Sequence, residues 1–200
     1  MEPDAVAQSY DKIAHVWNSE QFDRTNGVAA HKRALQFIED SGCALDVGCG
    51  CSGRIIDLLQ DNGFVTEGLD ISPQMLKLAR ERHPEVTFHE ADICTWQSPQ
   101  HWDFISAWDS IWHIPLHQHP NVLGKLINSL NPGGVLIFTT GGLNQPDEVH
   151  NQAMGPPMYH STPGLPDTLA IIHEHNGICR HLEYDQYPEP HVYIIVQRPR

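Results

Sequence analysis

Basic residues are few in this sequence, and they do not cluster. Twelve Lys and Arg residues stand against 25 Asp and Glu residues, which gives a net charge of −13 with histidine neutral. Proteins that bind nucleic acid or an anionic membrane use a basic surface, so this composition argues against both kinds of partner. No hydrophobic run approaches the length of a bilayer span, and the first residues do not resemble a signal peptide. We therefore expect neither a nucleic-acid partner nor a membrane partner.

Cysteine is also scarce, and internal repeats are missing. The five cysteines are odd in number and follow no disulfide framework, which favours reduced thiols in a cytoplasm. His113, His117 and His119 are close in sequence, but no Cys or carboxylate set joins them at the spacing of metal ligands, so we predict no metal site. A length of 200 residues predicts one domain, residues 1–200.

The most informative stretch covers residues 45–54, where an apolar strand leads into a glycine-rich turn and then into a helix-forming run. Gly48, Gly50 and Gly53 allow the backbone to turn sharply and to approach a ligand closely. The helix that follows offers free N–H groups to whatever occupies the turn. This pattern suits either a dinucleotide or S-adenosylmethionine.

Asp46, at the end of that strand, distinguishes the two cofactors. A carboxylate there repels the pyrophosphate of a dinucleotide and attracts the ammonium and sulfonium groups of S-adenosylmethionine, which carries no phosphate. The alternative role of Asp46 is to hold the glycine turn by accepting backbone N–H bonds.

Strand and helix patterns alternate along the chain, which predicts an α/β fold with a mostly parallel sheet covered on both faces. The predicted strands lie near residues 43–47, 64–69, 86–89, 102–108, 135–140, 178–184 and 191–196. The last two strands are joined by a short connection without a helix, so we expect them to be antiparallel. Like the glycine turn, Asp70, Asp92 and Asp109 fall at the sheet edge where such folds bind ligands.

Two segments lie outside this alternation. Residues 1–40 carry two predicted helices, and we expect them to form an N-terminal helical cap. Residues 141–165 are rich in Gly, Pro and Asn and show neither a helix pattern nor a strand pattern. We predict a loop near the substrate site there, with disorder as the alternative.

Five segments, taken together with their order and spacing, resemble class I S-adenosylmethionine-dependent methyltransferases. They are residues 45–50, 68–72, 91–92, 104–115 and 130–134. The resemblance implies a Rossmann-like three-layer sandwich with a seven-stranded sheet, one antiparallel strand and the order 3-2-1-4-5-7-6. The chain departs from many members because Gly53 stands three positions after Gly50, so we expect a turn that is one residue longer.

The resemblance also implies which residues contact the cofactor. They are Tyr10, Asp46, Gly48, Gly50, Asp70, Ile71, Asp92, Ile93 and Trp108. Asp70 would bind the ribose hydroxyls, with helix capping as its alternative role, and Asp92 would bind the adenine amine, with an ordinary loop position as its alternative. Ile71 would pack on adenine and the Ile93 N–H would meet a ring nitrogen. Tyr10 would close over the cofactor, with a place on the core face of an amphipathic helix as its alternative role.

The segment after the fourth predicted strand is where the family places residues that face the substrate. Asp109 and His113 are our candidates for orienting or deprotonating an acceptor, and histidine has a suitable pKa range. For His113 the alternative is a structural loop position. Trp108 and Trp112 either line the pocket or belong to the core.

The sequence therefore predicts an S-adenosylmethionine-dependent methyltransferase that acts on a small molecule. Two alternatives remain open at this stage. One is an NAD(P)-dependent oxidoreductase that uses the same glycines, and the other is a non-catalytic protein that binds S-adenosylmethionine and serves another chain.

Overall fold

The computed structural model describes residues 1–200. The strands are β1 (Cys43–Val47), β2 (Val65–Asp70), β3 (Thr87–Glu90), β4 (Trp102–Ala107), β5 (Leu130–Gly141), β6 (Asp147–Asn151), β7 (Met158–Thr162), β8 (Ile178–Glu183) and β9 (His191–Gln197). The helices are α1 (Pro3–Trp17), α2 (Val28–Ala34), α3 (Arg54–Asp61), α4 (Pro73–Arg82), α5 (His119–Asn128) and α6 (Leu165–Glu174). Short 3₁₀ helices lie at Leu35–Phe37, Ile111–His113 and Leu116–Gln118.

Seven of the strands form one sheet in the order β3-β2-β1-β4-β5-β9-β8. Strands β1 to β5 are parallel, and β9 pairs antiparallel with both β5 and β8. Because β8 and β9 are the sixth and seventh strands of this sheet along the chain, the predicted order 3-2-1-4-5-7-6 is confirmed. The predicted three-layer α/β sandwich with one antiparallel strand is confirmed as well.

Neighbouring residues of the central strands pack against helices on opposite faces of the sheet. In β4, Ile105 packs in the core cluster that includes α5 and α6, whereas Phe104 packs in the cluster that includes α2 and α3. Both side chains are fully buried. Helices therefore cover both faces, and the carboxyl edge of the parallel strands is left as the place for a ligand. No helix in the structure is both long enough and apolar enough to cross a membrane.

The start of α4 is fixed by local sequence. Ser72 caps the helix by accepting the Met75 N–H at 3.1 Å, and Pro73 occupies the first turn, where its missing N–H carries no cost. Asp11 of α1 accepts hydrogen bonds from the Ser72 hydroxyl at 2.6 Å and from the Gln74 N–H at 3.1 Å. The carboxylate thereby docks α1 on the positive end of α4.

The two helices within the predicted N-terminal cap have different surroundings. Ala30 and Ala34 of α2 pack into the core against the sheet. In contrast, α1 contacts α4 and β7, and Ser9 donates a hydrogen bond to the Pro157 carbonyl at 2.7 Å. Within residues 1–40, α1 therefore packs on α4 and β7, whereas α2 belongs to a helix layer of the sandwich.

The prediction that residues 141–165 have no regular structure was wrong. Strands β6 and β7 pair antiparallel as a separate two-stranded sheet within this segment. Residues of β7 are buried on both faces, because the strand packs against α1, β5 and the 3₁₀ helix Ile111–His113. β6 is exposed at most positions. Neither strand alternates buried and exposed residues, so the period that identifies a strand in a sequence is missing.

Candidate active site

A cavity of about 310 Å³ opens beyond the carboxyl ends of β1, β2 and β4, and we call it the main cavity. Its size is that of a small-molecule site. The predicted site residues that line it are Tyr10, Gly48, Gly50, Asp70, Ile71, Asp92, Ile93, Trp108, Asp109 and His113. The structure thus brings together every predicted site residue except Asp46. Residues from α1, the glycine turn and the segment after β4 meet here although they are far apart in sequence.

The glycine turn is bound to β2 and brings bare backbone to the main cavity. The N–H groups of Gly48 and Cys49 donate to the Leu69 carbonyl at 2.7 and 3.1 Å. Gly48 and Gly50 have φ angles of +67° and +56°, which favour glycine. A Cβ on Gly48 would lie 2.2 Å from the Ser110 Cβ, whereas a Cβ on Gly50 would meet no atom within 4 Å. A ligand can therefore approach the backbone at Gly50.

Asp70 joins the glycine turn to the turn before α4. One carboxylate oxygen accepts the Gly50 N–H at 2.8 Å, and the other accepts the Ser72 N–H at 2.8 Å. Burial raises the pKa of Asp70, and these two N–H bonds act in the opposite direction. Each oxygen keeps a further lone pair, and the residue lines the main cavity, so it can still accept from ligand hydroxyls.

Asp46 lies beneath the glycine turn, outside the main cavity. It borders a much smaller cavity of about 10 Å³ together with Arg54 and Trp108. Burial raises the pKa of Asp46 to about 6, while the Ser106 hydroxyl and the Arg54 charge act to lower it. Asp70, and not Asp46, accepts a backbone N–H from the turn. Asp46 therefore lies outside the main cavity, and its predicted contact with the cofactor stays a prediction.

Two buried polar atoms beside the glycine turn have no hydrogen-bond partner within the protein. They are Trp108 Nε1 and Ser110 Oγ, and both residues line the main cavity. Buried polar groups in folded proteins are almost always satisfied. Both atoms are shielded by their neighbours, Trp108 Nε1 by Gly27 and Ser110 Oγ by Gly48.

His113 is held in one tautomer by its neighbours. Its Nδ1 donates to the Tyr159 carbonyl at 2.7 Å, since a carbonyl can only accept. Its Nε2 then carries a lone pair, which accepts from the Trp112 indole N–H at 3.0 Å and from the Tyr10 hydroxyl at 2.7 Å. Burial lowers the pKa of His113 to about 4. His113 is therefore neutral, and its basic nitrogen is already engaged.

Tyr10 lies in α1 and reaches the wall of the main cavity. Burial raises the pKa of its hydroxyl, and the charges of Asp70 and Asp109 raise it further. Its ring packs edge-on against His113 with 5.3 Å between centroids. Tyr10 thus stays protonated and connects α1 to the segment after β4.

Asp109 presents a carboxylate at the wall of the main cavity. Its backbone φ is +52°, a conformation that Asp tolerates better than most residues and that occurs at functional sites. One oxygen accepts the Asn26 amide at 3.0 Å and the other lies 3.0 Å from His191 Nε2. His191 Nδ1 lies 2.5 Å from an oxygen of Asp185. Both nitrogens of this imidazole therefore face carboxylates.

His191 carries a proton on each nitrogen in this arrangement. Burial alone would lower its pKa, but the hydrogen bonds to Asp109 and Asp185 outweigh that effect and raise the pKa above the ordinary value. The His191 side chain is 8% exposed and that of Asp109 is 27% exposed. The charge of His191 thus lies behind Asp109, and the Asp109 carboxylate faces the cavity.

Sequence reasoning missed Asn26, Arg54 and His191. Arg54 directly follows the glycine turn, and this position could have identified it. Its Nε donates to the Asn26 carbonyl at 2.9 Å. Asn26 and His191 each lie more than eighty positions from Asp109, so no local pattern joins them to the site.

The three neighbouring histidines do not converge. His113 pairs with Tyr10 and Tyr159, His119 lies 2.9 Å from the Ser161 hydroxyl, and His117 is exposed. The structure contains no group of three or more His, Cys, Asp or Glu side chains arranged to hold a metal ion.

Comparisons with known proteins agree with this fold. The methyltransferase-domain family model matches residues 20–177. Trans-aconitate 2-methyltransferase from Agrobacterium fabrum is 34% identical over 117 residues, which cover 56% of this chain and 44% of that protein. Phosphoethanolamine N-methyltransferase from Plasmodium falciparum is 29% identical over 126 residues, which cover 60% of this chain and 47% of that protein. The matches thus span about half the length of these relatives.

Solved structures show the same architecture. The crystal structure of an S-adenosylmethionine-dependent methyltransferase from Clostridium acetobutylicum has a TM-score of 0.72 with this chain, at 14% identity over 96% of this chain and 99% of that one. At this identity the likeness concerns the fold alone. Together with the family match, it shows that the chain belongs to the methyltransferase-domain family, with the class I fold of S-adenosylmethionine-dependent methyltransferases.

Proposed function

We propose that this chain binds S-adenosylmethionine in the main cavity and transfers its methyl group to a small-molecule acceptor. The observation that carries the proposal is the cavity itself, in which the glycine turn and Asp70 meet Asp109 and the residues around it. Family membership supports it. The two relatives described above are methyltransferases named for small molecules, trans-aconitate and phosphoethanolamine, which supports a small-molecule acceptor here.

The residues present fit this cofactor. Asp70 offers two acceptor oxygens for the ribose hydroxyls, and the backbone at Gly50 leaves open space for the methionine end. Asp92 keeps one carboxylate oxygen free for the adenine amine, because the other accepts the Cys94 N–H at 2.8 Å. The Ile93 N–H donates to no protein acceptor and is free for a ring nitrogen.

The bound cofactor would supply a methyl group on a positively charged sulfur, which already has a good leaving group. The protein then chiefly has to hold the acceptor in line and exclude water. We propose that Asp109 orients the acceptor. We propose that His113 acts through Tyr10, whose hydroxyl it holds over the cavity, because its own Nε2 is engaged.

The nicotinamide alternative, predicted from the same glycines, is not favoured, because the family match is to methyltransferases. The non-catalytic alternative predicts no methyl transfer to any small-molecule acceptor, so a turnover assay distinguishes it. A thermal-shift comparison tests the proposal: S-adenosylmethionine and S-adenosylhomocysteine at one hundred times their Kd should each stabilise the fold by about 2.7 kcal/mol, and NAD should not. Stabilisation by NAD alone would contradict it.

A further inference from the structure

The charges around the acceptor side of the main cavity favour one class of acceptor. On the basis of the methyltransferase function proposed above, we propose that the acceptor is a small amine whose ammonium group binds at Asp109. A carboxylate or phosphate ester would be the wrong acceptor for this cavity. The two relatives differ on this point, since trans-aconitate is a carboxylate and phosphoethanolamine carries both an amine and a phosphate.

Arg54 is the only Lys or Arg side chain that lines the main cavity, and it is already engaged. Its Nε donates to the Asn26 carbonyl at 2.9 Å and one terminal nitrogen donates to the Ser52 hydroxyl at 2.9 Å. Its guanidinium carbon lies 5.1 Å from the centre of the Phe22 ring. Asp46 borders the small cavity beside it and offsets its charge. Arg54 is therefore poorly placed to compensate an anionic acceptor.

The two histidines of the cavity wall add no positive charge. His113 accepts at Nε2 from two donors and donates at Nδ1 to a carbonyl, which fixes it as neutral. His160 Nδ1 lies 3.4 Å from the Asn151 amide, and burial lowers the pKa of His160. An anionic acceptor would find no further cation among the lining residues.

Asp109 keeps negative charge at the cavity wall, although each of its oxygens already has one protein partner. His191 lies between Asp109 and Asp185. Its single positive charge is therefore shared by two carboxylates. Two carboxylates and one imidazolium leave one net negative charge in this group. The Asp109 side chain is more exposed than that of His191. Its negative charge is therefore available at the cavity.

Aromatic side chains complete a surface suited to a cation. Trp17 and Trp112 line the main cavity together with Asp109. Aromatic faces attract ammonium groups and also accommodate the apolar part of a small amine. A polycarboxylate would lose its hydration shell against these rings without gaining an ion pair.

The chemistry of transfer balances for an amine. The bound ammonium group first loses a proton to solvent. The lone pair of the nitrogen then forms the new N–C bond while the carbon–sulfur bond of the methyl donor breaks, with its electron pair remaining on sulfur. The product amine therefore leaves with one more methyl group.

Calorimetry on protein saturated with S-adenosylhomocysteine tests the proposal with matched probes of opposite charge. Butylamine is compared with butyrate, and benzylamine with benzoate. We expect at least one amine to bind at least tenfold more tightly than its carboxylate. Asp109→Asn, which keeps the shape of the side chain, should weaken that amine at least tenfold. Asp61→Asn, at an exposed position of α3, serves as the control and should leave it unchanged.

Tighter binding of the carboxylates, equal binding of both classes or binding of neither would overturn the amine proposal. Unchanged amine affinity in a folded Asp109→Asn variant would also overturn it. The affinities of the four probes are compared on the unmodified protein, so this part of the test does not depend on whether the variant folds. If S-adenosylhomocysteine itself fails to bind, the proposed function fails, and the amine proposal fails with it.

Discussion

The Asp109 carboxylate lies 3.0 Å from Nε2 of His191, although 82 positions separate the two residues. This contact links the segment after β4 to β9, the antiparallel strand. Through the other ring nitrogen it continues to Asp185, in the connection before β9. The geometry requires a proton on both nitrogens of His191, and so it predicts a dependence of stability on pH.

Replacing His191 by Gln should lower the free energy of unfolding by about 2 kcal/mol near pH 6, since hydrogen bonds to charged groups are lost. The pKa of His191 is raised in the folded protein. Its contribution is thus complete below the unfolded pKa of about 6.5 and disappears as pH rises through the folded pKa. Urea denaturation at pH 6 and pH 9 measures the free energy of unfolding of the unmodified protein and of the variant. The difference between the two proteins should be larger at pH 6. His173→Gln, at an exposed position of α6, should show no such difference.

His31 has the opposite dependence on pH. It is fully buried, with Nδ1 2.8 Å from the Gly27 carbonyl and Nε2 3.0 Å from the Ser106 hydroxyl. Burial lowers the pKa of His31 to about 4. In the unfolded chain His31 binds a proton below about pH 6.5, whereas in the folded protein it does so only near pH 4. Because the proton favours the unfolded chain between these values, the protein should lose about 3 kcal/mol of stability as pH falls from about 6.5 to about 4. Urea denaturation of the His31→Gln variant and of the unmodified protein measures this loss. As pH falls from about 6.5 to about 4, the free energy of unfolding should drop less in the variant. Equal drops in the two proteins would contradict the role of His31.

Gly48 and Gly50 allow a matched comparison within one turn. Gly48→Ala should destabilise the fold strongly, because the new Cβ would lie 2.2 Å from Ser110. Gly50→Ala places its Cβ in free space and should cost only the strain of a positive φ, about 1–2 kcal/mol.

The two variants should differ in binding as well. Gly50→Ala should remain folded yet lose affinity for S-adenosylhomocysteine, because the methyl group occupies the space through which a ligand approaches the backbone. Thermal unfolding and calorimetry measure the two effects separately. A folded Gly50→Ala variant with unchanged affinity would show that the ligand does not reach this part of the turn.

Tyr10→Phe tests whether His113 acts through Tyr10 or directly. The variant removes the hydroxyl that donates to His113 Nε2, and the Trp112 donor remains. If His113 positions Tyr10, turnover with any acceptor that the unmodified protein methylates should fall at least tenfold. If His113 itself is the base, the freed nitrogen should maintain or increase turnover.

The elements that local sequence determines were predicted well. The glycine turn and the strands of the main sheet depend on residues a few positions apart, and their sequence patterns identify them. The β6–β7 hairpin was missed because burial of β7 comes from tertiary neighbours and has no period of two. Alternation along β1 puts Asp46 on the face of Ala44, opposite to Leu45 and Val47, and the residue lies outside the main cavity.

The candidate site shows the same division. Asp70 and Asp109 were predicted because each follows a strand, and the parallel sheet brings strand ends together. His191 and Asn26 come from segments whose approach to Asp109 is decided by the packing of the whole domain. The protonation state of His113 likewise depends on partners from α1 and β7, which no local pattern contains.

A crystal structure of the protein with S-adenosylhomocysteine tests the central claim most directly. We predict electron density for the ligand in the main cavity, next to the backbone of Gly50, with the ribose hydroxyls within hydrogen-bond distance of Asp70. Density for the ligand elsewhere, or an empty cavity in a crystal where the ligand is saturating, would contradict the account.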